Sequence, residues 1–170
     1  MNIDLPINTD YIQCHRAVVS FNYDLSVDWA RELLVNGIET ENILILASFQ
    51  KPTDSIEIKN YVSAVLVDLQ VKEKTGDAAE LTHIHYLVRF LSKGENLREN
   101  LSKIRDLYWE YEIDKLDINK FYNLHHAWSD LEFDNFNSYS KEVTKKNIGS
   151  FIKKEAKLWI KKFIEKDLII

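Results

Sequence analysis

The 170-residue chain has one cysteine, two prolines and four glycines. A single thiol, Cys14, can close no intramolecular disulfide, so a reduced, cytoplasmic setting is expected and covalent staples are excluded. So little turn punctuation argues against a meander of short strands and predicts long helices with brief connections. No run of about 18 uncharged apolar residues occurs, which predicts no membrane-spanning helix. The polar, acidic opening Met1–Asp10 lacks the basic-then-apolar order of a secretory signal. Walker loop, GxGxxG, GxSxG and zinc-type Cys pair are also absent from the sequence.

What is present is helical periodicity. With 45% apolar and 29% charged residues the composition is globular, and a single domain over residues 1–170 is expected. From Asn147 to Ile170 the apolar residues Ile148, Phe151, Ile152, Ala156, Trp159, Ile160, Phe163 and Ile164 recur at steps of one, three and four, the stripe of an amphipathic helix. Lys153, Lys154, Lys157, Lys161 and Lys162 fall on its other side. The expected fold is all-α, an array of about seven helices packed around this long C-terminal helix. Ser26 reads as an N-cap with Asp28 in the first turn, and Asn36-Gly37-Ile38 as a Schellman stop. Thr40 opens a short helix that Pro52 closes off. Asp54 and Glu57 have capping-box spacing for a helix to about Val71. Further helices are expected over about 77–92, from about Asn96 through Tyr111, and between Asp117 and Trp128, with an ordered loop from Ser129 to Ser140.

The histidines offer no helical chelate. His83 and His85 are two apart and His125 and His126 adjacent, whereas ligands on one helix face stand three or four positions apart. A site joining His85 to His125 across two helices is the remaining metal arrangement, and the bland reading is packed imidazoles. Asp130, Glu132 and Asp134 alternate like a calcium loop, but Asn135 and Lys141 occupy its diagnostic Gly and acid positions. No residue volunteers for catalysis, and neither metal nor cofactor is expected.

The net charge of −5 is unevenly spread. From Lys141 onward nine lysines face four acids, a local net of +5 that leaves −10 on the first 140 residues. Nucleic-acid binding through the lysine face is disfavoured, because the domain is acidic and that face has no Arg. Between Asp106 and Asp134 stand eight acids against Lys115 and Lys120, interleaved with Tyr108, Trp109, Tyr111, Phe121, Tyr122, Trp128 and Phe133. Rings supply area at an interface and charge of one sign steers a partner of the other. The expected interaction residues are Trp109, Glu110, Tyr111, Glu112, Asp114, Asp130, Glu132 and Asp134, with Trp109 and Tyr111 as the rings left outside the core.

Two segments carry a resemblance. Trp29-Ala-Arg-Glu-Leu-Leu-Val-Asn-Gly-Ile running on to Ile43-Leu-Ile-Leu-Ala, and Asn147-Ile148 followed by Lys154-Glu-Ala-Lys-Leu-Trp-Ile, are similar to the helix–Gly–helix pair and C-terminal helix of small bacterial proteins of uncharacterised function. Together they cover about a quarter of the chain, and some such proteins look like immunity partners of toxins. The resemblance implies a bacterial binding protein and assigns no site residue. Residues and resemblance together predict a non-enzymatic interaction module whose acidic aromatic surface occludes a basic protein such as a toxin domain. The alternatives are a helical metal-dependent enzyme using His85 and His125, and a nucleic-acid binder through the lysine face. The apolar Leu168-Ile169-Ile170 end also offers a homodimer seam.

Overall fold

The computed structural model describes residues 5–111 and 117–164. Among these residues lie eight helices and no strand, so the chain is all-α. The helices are α1 (Thr9–Ile12), α2 (Asp24–Val35), α3 (Glu41–Ser48), α4 (Ser55–Asp68), α5 (Gly76–Lys93), α6 (Leu97–Leu107), α7 (Asn119–Phe133) and α8 (Ile148–Ile164). They fall into two compact units, Met1–His83 and Ile84–Ile170.

In the first unit α3 packs against both α2 and α4. The spacing of Val27, Ala30 and Leu33 on α2, Ile43 and Leu46 on α3, and Ile58, Val62 and Val65 on α4 puts each set on one face, and all are fully buried. Trp29, also fully buried, donates its indole N–H to Thr9 Oγ1 at 2.9 Å and so ties α1 to α2. The end of α2 is the expected Schellman turn. Ile38 N–H bonds Leu33 O at 2.9 Å, Gly37 N–H bonds Leu34 O at 3.0 Å, and Gly37 takes φ +75°. Thr40 Oγ1 accepts from Ile43 N–H and Asp54 Oδ1 from Ile56 N–H, the two expected N-caps.

Ser26 is not a cap. α2 begins two residues earlier, Asn22 Oδ1 accepts from Asp24 N–H, and Ser26 is buried inside the helix with its hydroxyl unpartnered. The register is set by a distant contact: the Asp24 carboxylate accepts both the N–H and the hydroxyl of Thr53 at 2.8 and 2.9 Å. Those two bonds, with Lys51 nearby, hold the Asp24 carboxyl below its usual range.

In the second unit α6 packs closely on α7, and α8 lies more loosely against α7. Leu101 and Ile104 from α6, Phe121, Leu124, Ala127 and Leu131 from α7, and Ile152, Ala156, Trp159 and Phe163 from α8 are buried. The stripe read from the C-terminal sequence is therefore the inward face of α8, while Lys154, Lys157, Lys161 and Lys162 are exposed. α7 runs five residues beyond the expected end at Trp128, because Leu131 continues the Leu124–Ala127 stripe by one more turn.

α4 closes with the same bond pattern as α2, Val71 N–H to Leu66 O and Gln70 N–H to Val67 O, but Gln70 occupies the left-handed position at φ +55°. A side chain there costs roughly 1 kcal/mol that glycine avoids. Gln70→Gly is expected to raise stability by about 0.5–1 kcal/mol. Gly37→Ala, where an added Cβ meets nothing within 4 Å, is expected to lower it by a similar amount through φ alone. Urea unfolding midpoints of the two variants check both signs.

Candidate interaction surface

The surface is built where α6 and α7 meet. Arg98 and Arg105 stand two turns apart on α6 and therefore on one face. Arg98 donates to His125 O at 3.3 Å, to Ser129 Oγ at 2.8 Å and to Glu132 Oε2 at 3.2 Å, with its guanidinium 5.7 Å from the Trp128 ring centroid. Arg105 donates to His125 Nε2 at 3.2 Å and grips Asp106 Oδ1 through Nε and Nη2 at 2.9 and 2.6 Å. A guanidinium can only donate, so His125 Nε2 accepts and Nδ1 carries the proton. That buried N–H has no partner. Burial first, then the charges of Arg105 and Arg98, push His125 down to about 4, so the imidazole is neutral at pH 7.

With α7 so fixed, its side next to the end of α6 carries a row of rings. Tyr122 stacks on Tyr108 at 4.0 Å and meets His126 at 4.6 Å, and His126 stacks on Tyr139 at 5.6 Å. Trp109 stands nearly perpendicular to Tyr108 and Tyr122, at 5.0 and 6.3 Å. Phe133, eleven residues beyond Tyr122, falls on the same face at about 100° per residue. The ends of the row are open to water: Trp109 is 78% exposed, Phe133 89%, Phe136 71% and Tyr139 46%. Tyr139 is held by an ordered turn around the buried Asn137, whose Oδ1 accepts from Tyr139 and Ser140 N–H while Nδ2 donates to Val143 O at 2.9 Å. Behind Tyr139 a cleft of about 350 Å³ is floored by Leu124, Ala127 and Phe151 and rimmed by Asn119, Asn123 and Ser140.

Of the residues expected at an interface, Trp109 and Glu110 are exposed together just past α6. Tyr111 is the correction: it is buried, because it follows Leu107 by four residues and its N–H still bonds Leu107 O at 3.0 Å, so it continues the inward stripe. Glu132 and Asp134 are exposed, the first paired with Arg98, and Asp130 is half-buried. Asp130 and Glu132 lie within α7 rather than in a loop. Glu112 and Asp114 lie outside the described residues. Phe136 and Tyr139 were missed; their signal was rings set in an Asn- and Ser-rich stretch.

The histidine pair proposed for a metal is not assembled. Among the described residues no three His, Cys, Asp or Glu side chains converge to hold an ion. His85 stacks with Trp159 at 6.5 Å, and His125 presents its accepting nitrogen to the Arg105 guanidinium. In the first unit the buried His15 makes another polar knot: Nε2 lies 3.2 Å from both Ser63 Oγ and Glu73 Oε1, Nδ1 lies 3.3 Å from Tyr23 OH, and Arg16 donates to Ser63. The Ser63 hydroxyl is already given to Glu73 and every member has a partner, so the knot clamps the segment after α1 to α4 and the loop that follows it. Burial lowers His15, against the opposing pull of Glu73. None of the described helices is long and apolar enough to cross a membrane.

No protein-family model matches the chain, and no curated protein or solved structure matches it either.

His15 and His125 titrate below their unfolded value of 6.5, so the unfolded chain takes up protons first as pH falls. Their contribution is present above about pH 6.5 and is lost as pH falls below it, for His125 down to about pH 4. The urea midpoint is expected to fall between pH 7.5 and 5, by an amount equivalent to about 1–2 kcal/mol after allowing for solvent screening. In His125→Gln that slope is expected to be shallower; an unchanged slope would show that His125 is already charged in the folded state.

Proposed function

We propose that this chain is a non-enzymatic interaction protein that neutralises a basic protein, such as a toxin domain, by covering its cationic surface. The observation that carries the reading is the ring row running from Trp109 through Tyr108, Tyr122 and His126 to Tyr139, with Trp109 and, further along α7, Phe133 exposed to 78% and 89%. Isolated exposed apolar residues are ordinary, but a contiguous aromatic row on a rigid helix pair is the composition of interface anchors.

Charge supports the sign of the partner. The two arginines beneath the row are already engaged by Asp106 and Glu132. Glu110 and Asp134, exposed near its ends, have no ion-pair partner among the described residues. The rings would supply buried area and the free carboxylates would speed and orient the approach of a basic surface. Acting in the cytoplasm as a binding protein of the immunity type, the chain would work by occlusion and needs no reacting group.

The experiment compares affinity capture from the native host lysate by the wild-type protein and by a Trp109→Ser/Phe133→Ser variant, at low and moderate salt. The wild type is expected to retain a stoichiometric basic protein that added salt releases, and the variant is expected to lose it. Equal capture by both proteins would sink this surface as the binding face.

A further inference from the structure

Resting on that reading, we propose that Trp109 is an arginine-selective seat, taking the guanidinium of an arginine on the basic partner against its indole face with Glu110 as counter-ion.

The four tryptophans of the chain show what is special about this one. Trp29 is fully buried, and Trp159 is buried against Phe163 and His85. Trp128 already has a cation over it, Arg98 at 5.7 Å. Trp109 is the exposed tryptophan, and among the described residues its ring contacts are with the two tyrosines and no cation lies over it. Its orientation is nevertheless fixed. Tyr108 and Tyr122 stack on each other at 4.0 Å, and Trp109 stands at 82° and 90° to them, so the indole is set against two rings while most of it stays open to water. A braced ring loses little side-chain freedom when something lies on it, which favours binding.

The choice of arginine follows from the same geometry. A guanidinium is planar and weakly hydrated, so it lies flat on an indole while its edge N–H groups remain free for a carboxylate. Glu110 adjoins Trp109 in sequence, is exposed and has no ion-pair partner among the described residues, whereas Asp106 is occupied by Arg105. A lysine ammonium can also donate to the carboxylate, but it is a compact point charge with no planar face to lay on the indole, and stripping its water costs more. The chain already holds one guanidinium by a ring and a carboxylate at once: Arg98 lies over Trp128 while donating to Glu132, one turn further along α7.

The test uses the full chain with fluorescently labelled octa-arginine, octa-lysine and octa-citrulline peptides. Dissociation constants come from anisotropy at low and moderate salt, and contact is located by the Trp109 indole N–H signal in a ¹H–¹⁵N spectrum. Octa-arginine is expected to bind about two- to fivefold tighter than octa-lysine and to shift the Trp109 signal, with octa-citrulline not binding. Trp109→Leu, at a site exposed enough to leave the fold intact, is expected to bring the two cationic peptides to equal affinity, and Trp109→Phe to keep part of the difference. Equal binding of the two by the wild type, or a preference that survives Trp109→Leu, overturns the seat. The underlying surface is judged separately by Glu110→Lys/Asp134→Lys. If that change weakens both cationic peptides alike while arginine selectivity is absent, the acidic surface stands and only the seat fails. If neither peptide responds to it, both readings fall.

Discussion

The ring row depends on two guanidiniums. Arg98 and Arg105 project from one face of α6 and are met on α7 by the carbonyl and Nε2 of His125, by Ser129 and by Glu132. These acceptors span two turns, so they fix α7 in rotation as well as in position. One residue of slip would turn α7 by about 100° and carry Tyr122, His126 and Phe133 off the side they now occupy. The arrangement requires a neutral His125, because an imidazolium would set a third cation against two arginines. Burial and those arginines supply the neutrality themselves, so the contact and the protonation state sustain each other.

Cohesion and register come from different groups. Apolar burial on α6, α7 and α8 supplies most of the driving force, at about 25 cal/mol for each Å² removed from water. It is indifferent to small rotations of a helix. Exposed pairs such as Lys103 with Glu99, one turn apart on α6, add little. The directional bonds of buried or half-buried polar groups choose among the packings that burial permits: Arg105 to His125 in the second unit, and His15 with Ser63 and Glu73 in the first. Their loss would be felt more in specificity of packing than in gross collapse.

Local signals were legible in the sequence where the competing partner was also local. Gly37 closes α2, and Thr40 and Asp54 open α3 and α4, because each bond is satisfied within a few residues of its donor. Ser26 failed as a cap because Asp24 was claimed by Thr53, 29 residues away, and no window around Ser26 contains that fact. Tyr111 and the end of α7 were read wrongly for a second reason. Composition was allowed to outweigh period: acids and asparagines suggested a loop after Trp128, yet Leu131 keeps the buried stripe going, as Tyr111 does after Leu107. At the site, the exposure of Trp109 was foreseeable from its departure from the stripe. The stacking of Tyr108 on Tyr122 and of His126 on Tyr139 was not, since both pairs join separate segments.

Rings alone do not name a partner, because a row of exposed aromatics can stack on nucleobases as readily as it can receive a protein. Charge separates the two. A strand laid on this row would need cations for its phosphates, and the arginines within reach are spent on Asp106 and Glu132 while Glu110 and Asp134 remain free. The lysines that would suit phosphates are on α8, where Lys154 and Lys157 are exposed, and the large apolar residue exposed on that helix is Leu158 rather than a ring. Among the described residues stacking surface and unengaged positive charge thus lie on different helices, whereas a nucleic-acid site needs them together. Aromatic area and unpaired negative charge coincide on α6–α7, and that coincidence fits a basic protein.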